Sequence, residues 1–510
     1  MAANAEETTR SPGLGLQAWL LPRLQDVVFV ALLALVILLG PRLLNVDGDL
    51  GRHLAIGEHI LSSRSIPISD LFSHTMAGEP LTPHEWLSQV AFAAAFRLLG
   101  LDGVVLLCAL LLGLTFALVY RSAAARSGLP LAALALTLLA AAASSLHWLA
   151  RPHLFTLLLV VVWTEVLEAV RRGHRAAWRA LPAVMLLWVN LHGAFVFGFV
   201  IGLAYAAGWA WRRWVIHQAD PPGVGQGLAL GGALSLAVTA LNPVGLKVWA
   251  TSLGYAGSAY LMGHTAEYLS PDFHDVSTWP FLILILAALW LVGAARPRLA
   301  PESALLLLGW LGLGLFSVRH VPIFAVLSAP ILASCLPGTL KERAVGLAWQ
   351  RREGRLLQVE RHLRGHAWPI AMILAAGLAF AGGVRLTPAA AGNAFSPRVF
   401  PVQAVEWLEA HPPSGRVFNY FPWGGYLLYR LWPEVRVFID GQTDFYGEAL
   451  TREYEQVITL SDGWQTVLDK HDVDWVLIPA DSQLARALQS DGAWAETYAD
   501  PTAVLLERAP

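Results

Sequence analysis

A bilayer's hydrocarbon core demands about 20 apolar residues from any helix that crosses it, fewer where the helix is buried among others. This chain supplies such runs repeatedly. They fall at 25–44, 102–120, 129–148, 154–170, 180–193, 195–211, 226–242, 279–295, 302–318, 321–336 and 367–385, about eleven in all. Of the 510 residues, 56% are hydrophobic and 14% charged, against about 25% charged in soluble domains. An α-helical polytopic membrane protein is expected, with the lipid bilayer as its first partner. Trp86–Leu99 is apolar but short, and is expected to lie along the interface before the second span. The net charge of −2 gives no reason to invoke nucleic acid.

Loop charge sets the expected orientation. The N-terminus lacks the short apolar core and cleavage site of a signal peptide, so the first run reads as a retained anchor. One set of connectors carries Arg121, Arg126, Arg171, Arg172, Arg175, Arg179, Arg212, Arg213, Arg296 and Arg298, and 337–366 adds Lys341, Arg343 and five more arginines. The alternate connectors are poor in positive charge. Residues 1–24 are therefore expected in the cytoplasm, the large first loop 45–101 outside, and the region 25–385 in the membrane. Beyond it, 386–510 is expected outside as a small α/β domain. Its helical patterns are Val402–His411, Trp423–Leu431, Gly463–His471 and Gln483–Gln489, and its extended runs are Arg416–Asn419, Val435–Ile439, Trp475–Pro479 and Ala503–Glu507.

The first loop is too rich in titratable groups for a plain connector. It gathers Asp47, Asp49, His53, Glu58, His59, Asp70, His74, His84 and Glu85 beside the membrane, where charge is expensive to desolvate. On the same side fall Arg151-Pro-His153, Asn190-Leu-His192-Gly193, Asn242-Pro-Val-Gly245, Glu267 and Arg319-His320. Each has a plainer reading. Asp47-Gly48-Asp49 suits a turn, the arginines suit snorkelling to headgroups, the histidines suit bonds to loop backbone, and Asn242-Pro243 suits a helix end. Glu165 and Glu168 are expected to pair with arginines on the opposite side. Together the outer groups suit a lipid-phosphate substrate. Carboxylates can accept a proton or hold a divalent cation, and arginine binds phosphate by charge-assisted hydrogen bonds.

The run Asp47-x-Asp49, His53-Leu54-x-x-Gly57, Ile66-Pro67, Asp70-x-Phe72-Ser73 and His84-Glu85-Trp86-Leu87 resembles bacterial multispan proteins of the GT-C glycosyltransferase superfamily. Arg151-Pro, Asn190-Leu-His-Gly, Asn242-Pro-x-Gly, Arg319, Trp423-Gly-Gly-Tyr426 and Phe438-Ile-Asp440-Gly441 extend the resemblance over nearly the whole chain. It implies a GT-C-like fold of eleven to thirteen spans with an extracytoplasmic domain, in the bacterial inner membrane. It implies an inverting transfer of a hexosyl or pentosyl group from a polyprenyl-phosphate sugar donor to a glycan, lipid or protein acceptor. The catalytic acid of the first loop then falls on Asp49 or Asp47, with Asp49 preferred because His53 follows it by one helical turn. Some members bind a metal through this loop, so Asp47 and Asp49 are also candidates for holding Mg or Mn.

In that reading His53, Asp70, His84, Glu85 and Glu267 support the catalytic acid. Arg151, His153, His192, Arg319 and His320 face the donor phosphate. Two alternatives belong to other classes: a transporter or flippase of lipid-linked saccharide, and a non-catalytic envelope scaffold.

Overall fold

The computed structural model describes residues 17–254, 258–294, 299–340, 344–388 and 392–509. Arg296, Arg298, Lys341, Arg343 and most of the expected cytoplasmic N-terminus lie outside them. Among the described residues, eight helices are long and apolar enough to cross a membrane: Gln17–Leu38, Trp86–Ser127, Pro130–His147, His153–Arg171, Gly193–Trp214, Val224–Leu241, Val276–Ala294 and Val318–Pro337. The expected runs at 180–193 and 302–318 fold as the shorter apolar helices Ala177–Leu191 and Pro301–Phe316. They bury Trp188 and Trp310 completely or nearly so. A short helix can end inside the membrane only where protein satisfies its backbone. At Asn190–Gly193 it does: Asn242 Nδ2 donates to the Val189 carbonyl and the His192 N–H to that of Trp188, while Trp86 Nε1 holds the Asn190 side chain. The last run, Ala367–Ala381, meets the same length test only together with Gly346–His362, from which it bends by 68°. By length the count is therefore eight, or nine with the bent pair, rather than eleven.

Trp86–Leu99 is helical and continues into the next span through a break at Leu99–Gly100, where Gly100 takes φ +61° and ψ −148°. That conformation is open essentially to glycine alone. On the membrane face opposite the first loop, Glu168 pairs with Arg171 and Arg172, and Glu165 with Arg126, as expected.

The first loop opens with the helix Asp49–Ser63 and ends at the helix starting at Trp86. The tail domain carries a four-stranded sheet of β1 (Arg416–Asn419), β2 (Val473–Pro479), β3 (Trp494–Ala499) and β4 (Ala503–Arg508), in the order β1-β2-β4-β3. β1 and β2 are parallel, and the other pairs antiparallel. Helices Val402–Ala410, Gly424–Leu431, Trp464–Lys470 and Gln483–Ser490 match the expected patterns within one or two residues. The helix Thr443–Ile458 and strand β3 were not expected. Val435–Ile439 forms no strand of the sheet. Instead Val437 bridges to Ser73 of the first loop, with His74 N–H donating to the Val437 carbonyl and Val437 N–H to that of Phe72.

The first-loop helix and the tail helix Gly424–Leu431 meet backbone to backbone. A Cβ on Gly51 would stand 2.2 Å from the Gly425 carbonyl oxygen, and one on Gly425 would stand 2.1 Å from that of Gly48. Only glycine permits this approach. It carries the tail's next loop, Asp440–Gln442, onto the start of the first-loop helix.

Gly425→Ala should force these backbones apart at a cost of about 1–3 kcal/mol, the usual scale of overpacking. A lower unfolding midpoint and faster proteolysis of the tail are expected. Gly492→Ala, where an added Cβ meets nothing within 4 Å, should change neither.

Candidate active site at the membrane rim

Asp47 and Asp49 flank Gly48 at the start of the first-loop helix. Asp47 Oδ1 accepts the Asp49 N–H at 2.9 Å, so the segment is the turn its composition suggests, and Asp47 builds it. The same two carboxylates turn toward Arg151, which precedes the helix His153–Arg171. Asp47 Oδ2 lies 2.9 Å from Arg151 Nε, Asp49 Oδ2 lies 2.8 Å from Nη2, and Glu267 Oε1 lies 2.5 Å from Nη1. Each guanidinium nitrogen faces a different carboxylate. Arg319 closes the outer side, with Nη1 donating to the Tyr268 hydroxyl at 2.6 Å and 3.8 Å from Glu267 Oε2. About a third of its side chain stays exposed.

Burial and charge tune these acids in opposite directions. Burial raises the Asp47 carboxyl, Arg151 only partly counters it, and neighbouring Asp49 adds to the rise, leaving it at about 6. Burial also pushes Glu267 up, but Arg151, His147 and Arg319 outweigh it and hold the carboxyl at about 2. Arg151 loses solvation by burial, yet the three carboxylates hold its charge firmly.

A second group adjoins the first. Arg52, three residues after Asp49 on the same helix, is buried and donates from Nη1 to Gln442 Oε1 at 2.8 Å. Its Nη2 lies 3.4 Å from Glu85 Oε2, and its Nε lies 3.8 Å from Asp440 Oδ1. Asp440 accepts the Gln442 N–H and the Tyr446 hydroxyl. Burial raises its carboxyl to about 6 against the pull of Arg52. Glu85 is also approached by His53, His84 and His192 at 3.7–3.9 Å. Burial holds His53 well below its ordinary value, and Arg52 and Arg151 add to that.

The expected site residues therefore divide. Asp47, Asp49, Glu267, Arg151 and Arg319 converge, and His53, His84, Glu85 and His192 form the adjoining group. Asp70 does neither: its oxygens accept the N–H groups of Phe72 and Ser73 and the Ser73 hydroxyl, shaping the loop. His153 Nε2 lies 2.7 Å from the His147 carbonyl. His320 packs on Phe197 and Trp310, away from the carboxylates. Sequence reading missed Arg52, His147, Tyr268 and Gln442. Arg52 was the one with a signal, since it shares a helix face with Asp49.

A divalent cation does not fit this arrangement. The position that carboxylates would share around a metal is filled by the Arg151 guanidinium. Among the described residues no group of three or more His, Cys, Asp or Glu is arranged to hold a metal ion.

Removing Arg151 leaves three carboxylates facing one another, and a buried ion pair broken on one side typically costs about 3–5 kcal/mol. Arg151→Ala should lower the unfolding midpoint and gain stabilisation by Mn(II), since hard carboxylate oxygens suit such ions. The midpoint of the unsubstituted protein should not move when Mn(II) is added.

No known family's sequence profile matches the chain, and no curated protein sequence matches it. Solved structures do. The apo oligosaccharyltransferase of Archaeoglobus fulgidus aligns with a TM-score of 0.61 and 12% identity, over 90% of this chain and 69% of that one. The arabinofuranosyltransferase AftD from Mycobacteria aligns with a TM-score of 0.50 and 15% identity, over 96% of this chain and 42% of that one. ArnT from Cupriavidus metallidurans, bound to undecaprenyl phosphate, aligns with a TM-score of 0.47 and 14% identity, over 94% and 97%. The chain shares the membrane fold of the oligosaccharyltransferase over most of its length.

Proposed function

We propose that this protein is an inverting GT-C-type glycosyltransferase. It moves a hexosyl or pentosyl group from a polyprenyl-phosphate-linked donor to a glycan, lipid or protein acceptor on the extracytoplasmic face of a bacterial inner membrane. The observation that carries the reading is the cluster of Asp47, Asp49 and Glu267 about Arg151, with Arg319 beside it, where the first loop meets the membrane.

In this scheme the acceptor hydroxyl oxygen attacks the anomeric carbon and gives its proton to Asp47. The bond from that carbon to the phosphate oxygen breaks, and polyprenyl phosphate leaves with the electron pair. Asp47 suits the task because a carboxyl at about 6 is ionised at neutral pH yet basic enough to take a proton. Asp47 is therefore the proton acceptor of this scheme. Asp49 and Glu267 hold Arg151 in place and oppose positive charge developing on the sugar. Arg319, partly exposed, receives the leaving phosphate. Arg151 supplies the fixed positive charge, so no divalent cation is needed.

A transport function has less support. Among the described residues, charged groups of the helices gather at the two ends of the helices, as with Glu165, Glu168 and Arg171 opposite the first loop, rather than along a route between them.

Purified protein in nanodiscs with a panel of radiolabelled polyprenyl-phosphate sugars should release polyprenyl phosphate and label an acceptor, with and without EDTA. The rate should rise with pH through about 6 as Asp47 loses its proton, because only the ionised form accepts one. Asp47→Asn should lower kcat by about 100-fold or more, the scale of a lost general base, and abolish that acid limb. Unimpaired transfer by Asp47→Asn would overturn the assignment. Silence with every donor would overturn the function.

A further inference from the structure

Helix Gly346–His362 has no part in the outer site. It bends by 68° from Ala367–Ala381, so beside a crossing helix it runs nearer the membrane plane than across it. Its glutamates point inward. Glu353 is 1% exposed and accepts the Leu131 N–H at 2.8 Å, and Glu360 accepts the Leu24 N–H at 2.7 Å. Those N–H groups stand at the starts of helices Pro130–Ser144 and Leu24–Leu38, where backbone donors lack a partner within the helix and negative charge is favoured. The far ends of the same two helices lead to His147 and to Asn45-Val46-Asp47, beside the acid cluster. Helix Gly346–His362 therefore lies on the membrane face opposite the first loop.

With both glutamates turned inward, the outer face is left cationic. Arg351, Arg352, Arg355 and Arg361 are exposed, and among the described residues none of them has an ion-pair or hydrogen-bond partner. Arg126, Arg171 and Arg172 on the same membrane face, by contrast, all pair with glutamates. Leu347, Arg351, Arg355 and Val359 follow at four-residue steps and share one stripe of the helix. Leu347 and Val359 are 45% and 54% exposed. Tryptophans flank the helix at both ends. Trp349 near its start is 42% exposed, and Trp368 and Trp19 at its end are 52% and 51% exposed. Trp368 Nε1 donates to the Leu20 carbonyl, and the Arg364 guanidinium lies 4.9 Å from the centre of the Trp19 ring. Exposed tryptophan gathers at the level of lipid headgroups.

We propose that this helix is a docking surface for anionic phospholipid headgroups in the leaflet opposite the first loop, with Arg351 and Arg355 as its central phosphate contacts. Charge complementarity names the occupant: unpaired guanidinium groups at headgroup level suit anionic phosphate, and the apolar residues among them suit the acyl boundary just beneath. The assignment is independent of the transferase reading. It also gives the surface a structural consequence. Because Glu353 and Glu360 hold the starts of two helices that end beside the acid cluster, headgroups bound here help to fix the depth of those helices.

Hydrogen exchange of the full chain reads the docking without turnover. Nanodiscs of phosphatidylcholine are compared with nanodiscs that also contain phosphatidylglycerol. Headgroups that bind the ordered helix suppress its opening. Exchange of 346–362 should therefore slow by about fivefold or more in the anionic discs, the scale of one arginine near such a surface. High salt should remove the difference by screening it. The double substitution Arg351→Gln with Arg355→Gln should abolish it, while Arg42→Gln, an exposed arginine on the first-loop side, should leave it intact. Both side chains of the double variant are exposed, so its unfolding midpoint in phosphatidylcholine discs should match that of the unsubstituted protein. Equal exchange in the two discs, or a difference that survives the double substitution, sinks the proposal. So does equal protection by soluble polyglutamate in phosphatidylcholine discs, which would make an acidic protein segment the occupant.

Discussion

One guanidinium satisfies three carboxylates brought from two distant loops. Asp47 and Asp49 come from the start of the first loop, Glu267 from a connector more than two hundred residues later, and Arg151 joins them. Carboxylates crowded this closely cannot all stay ionised beside a membrane without a shared counter-charge. Their different outcomes, Asp47 raised to about 6 and Glu267 held at about 2, follow from how burial and Arg151 balance at each. A guanidinium keeps its charge at any working pH. The site thus carries a permanent cation where a dissociable metal could otherwise serve.

The tail domain is docked by the same stretch that bears the acids. Gly51 and Gly425 let two helices touch at their backbones, and the 437–442 segment then runs along the first loop. Gly441 sits directly against Asp49, where a Cβ would stand 1.6 Å from its carboxylate oxygen. Side chains reinforce the junction: Thr75 Oγ1 donates to the Phe438 carbonyl and Trp432 Nε1 to that of Leu71. Loop and tail are therefore packed together, and the position of Asp49 depends on tail backbone.

Much of this could be read from the sequence, because the physics involved is local or is imposed by the bilayer. Apolar runs had to be helices, and most of the tail's helices and strands announced themselves by period. Thr443–Ile458 did not: it carries Asp444, Glu448, Arg452, Glu453 and Glu455 and is interrupted by non-helical backbone at Gly447. Val435–Ile439 looked extended, and its neighbourhood does pair with a strand-like segment, but the partner is the first loop rather than the sheet. Shared side of the membrane predicted which groups could meet, and Asp47, Asp49, Arg151, Glu267 and Arg319 do meet. It could not predict direction. His320 turns into an aromatic pocket and Asp70 turns back on its own loop. The Arg52–Gln442 bond joins residues 390 positions apart, and no periodicity encodes such a contact.

The turn and the acid cluster at Asp47-Gly48-Asp49 are not competing descriptions. Asp47 Oδ1 closes the turn on the Asp49 N–H, which leaves Oδ2 for Arg151. Because one carboxylate does both, its position is fixed from two directions before any substrate arrives. In the proposed transfer, a proton acceptor held this way needs little reorganisation, which is where preorganised charge is most effective. The same constraint explains glycine at 48: a Cβ there would stand 1.9 Å from the Pro422 carbonyl oxygen of the tail. A larger residue would displace both the turn and the acid that closes it. The Gly48–Pro422 contact thus ties packing of the tail to the geometry of the turn and the aim of the carboxylate.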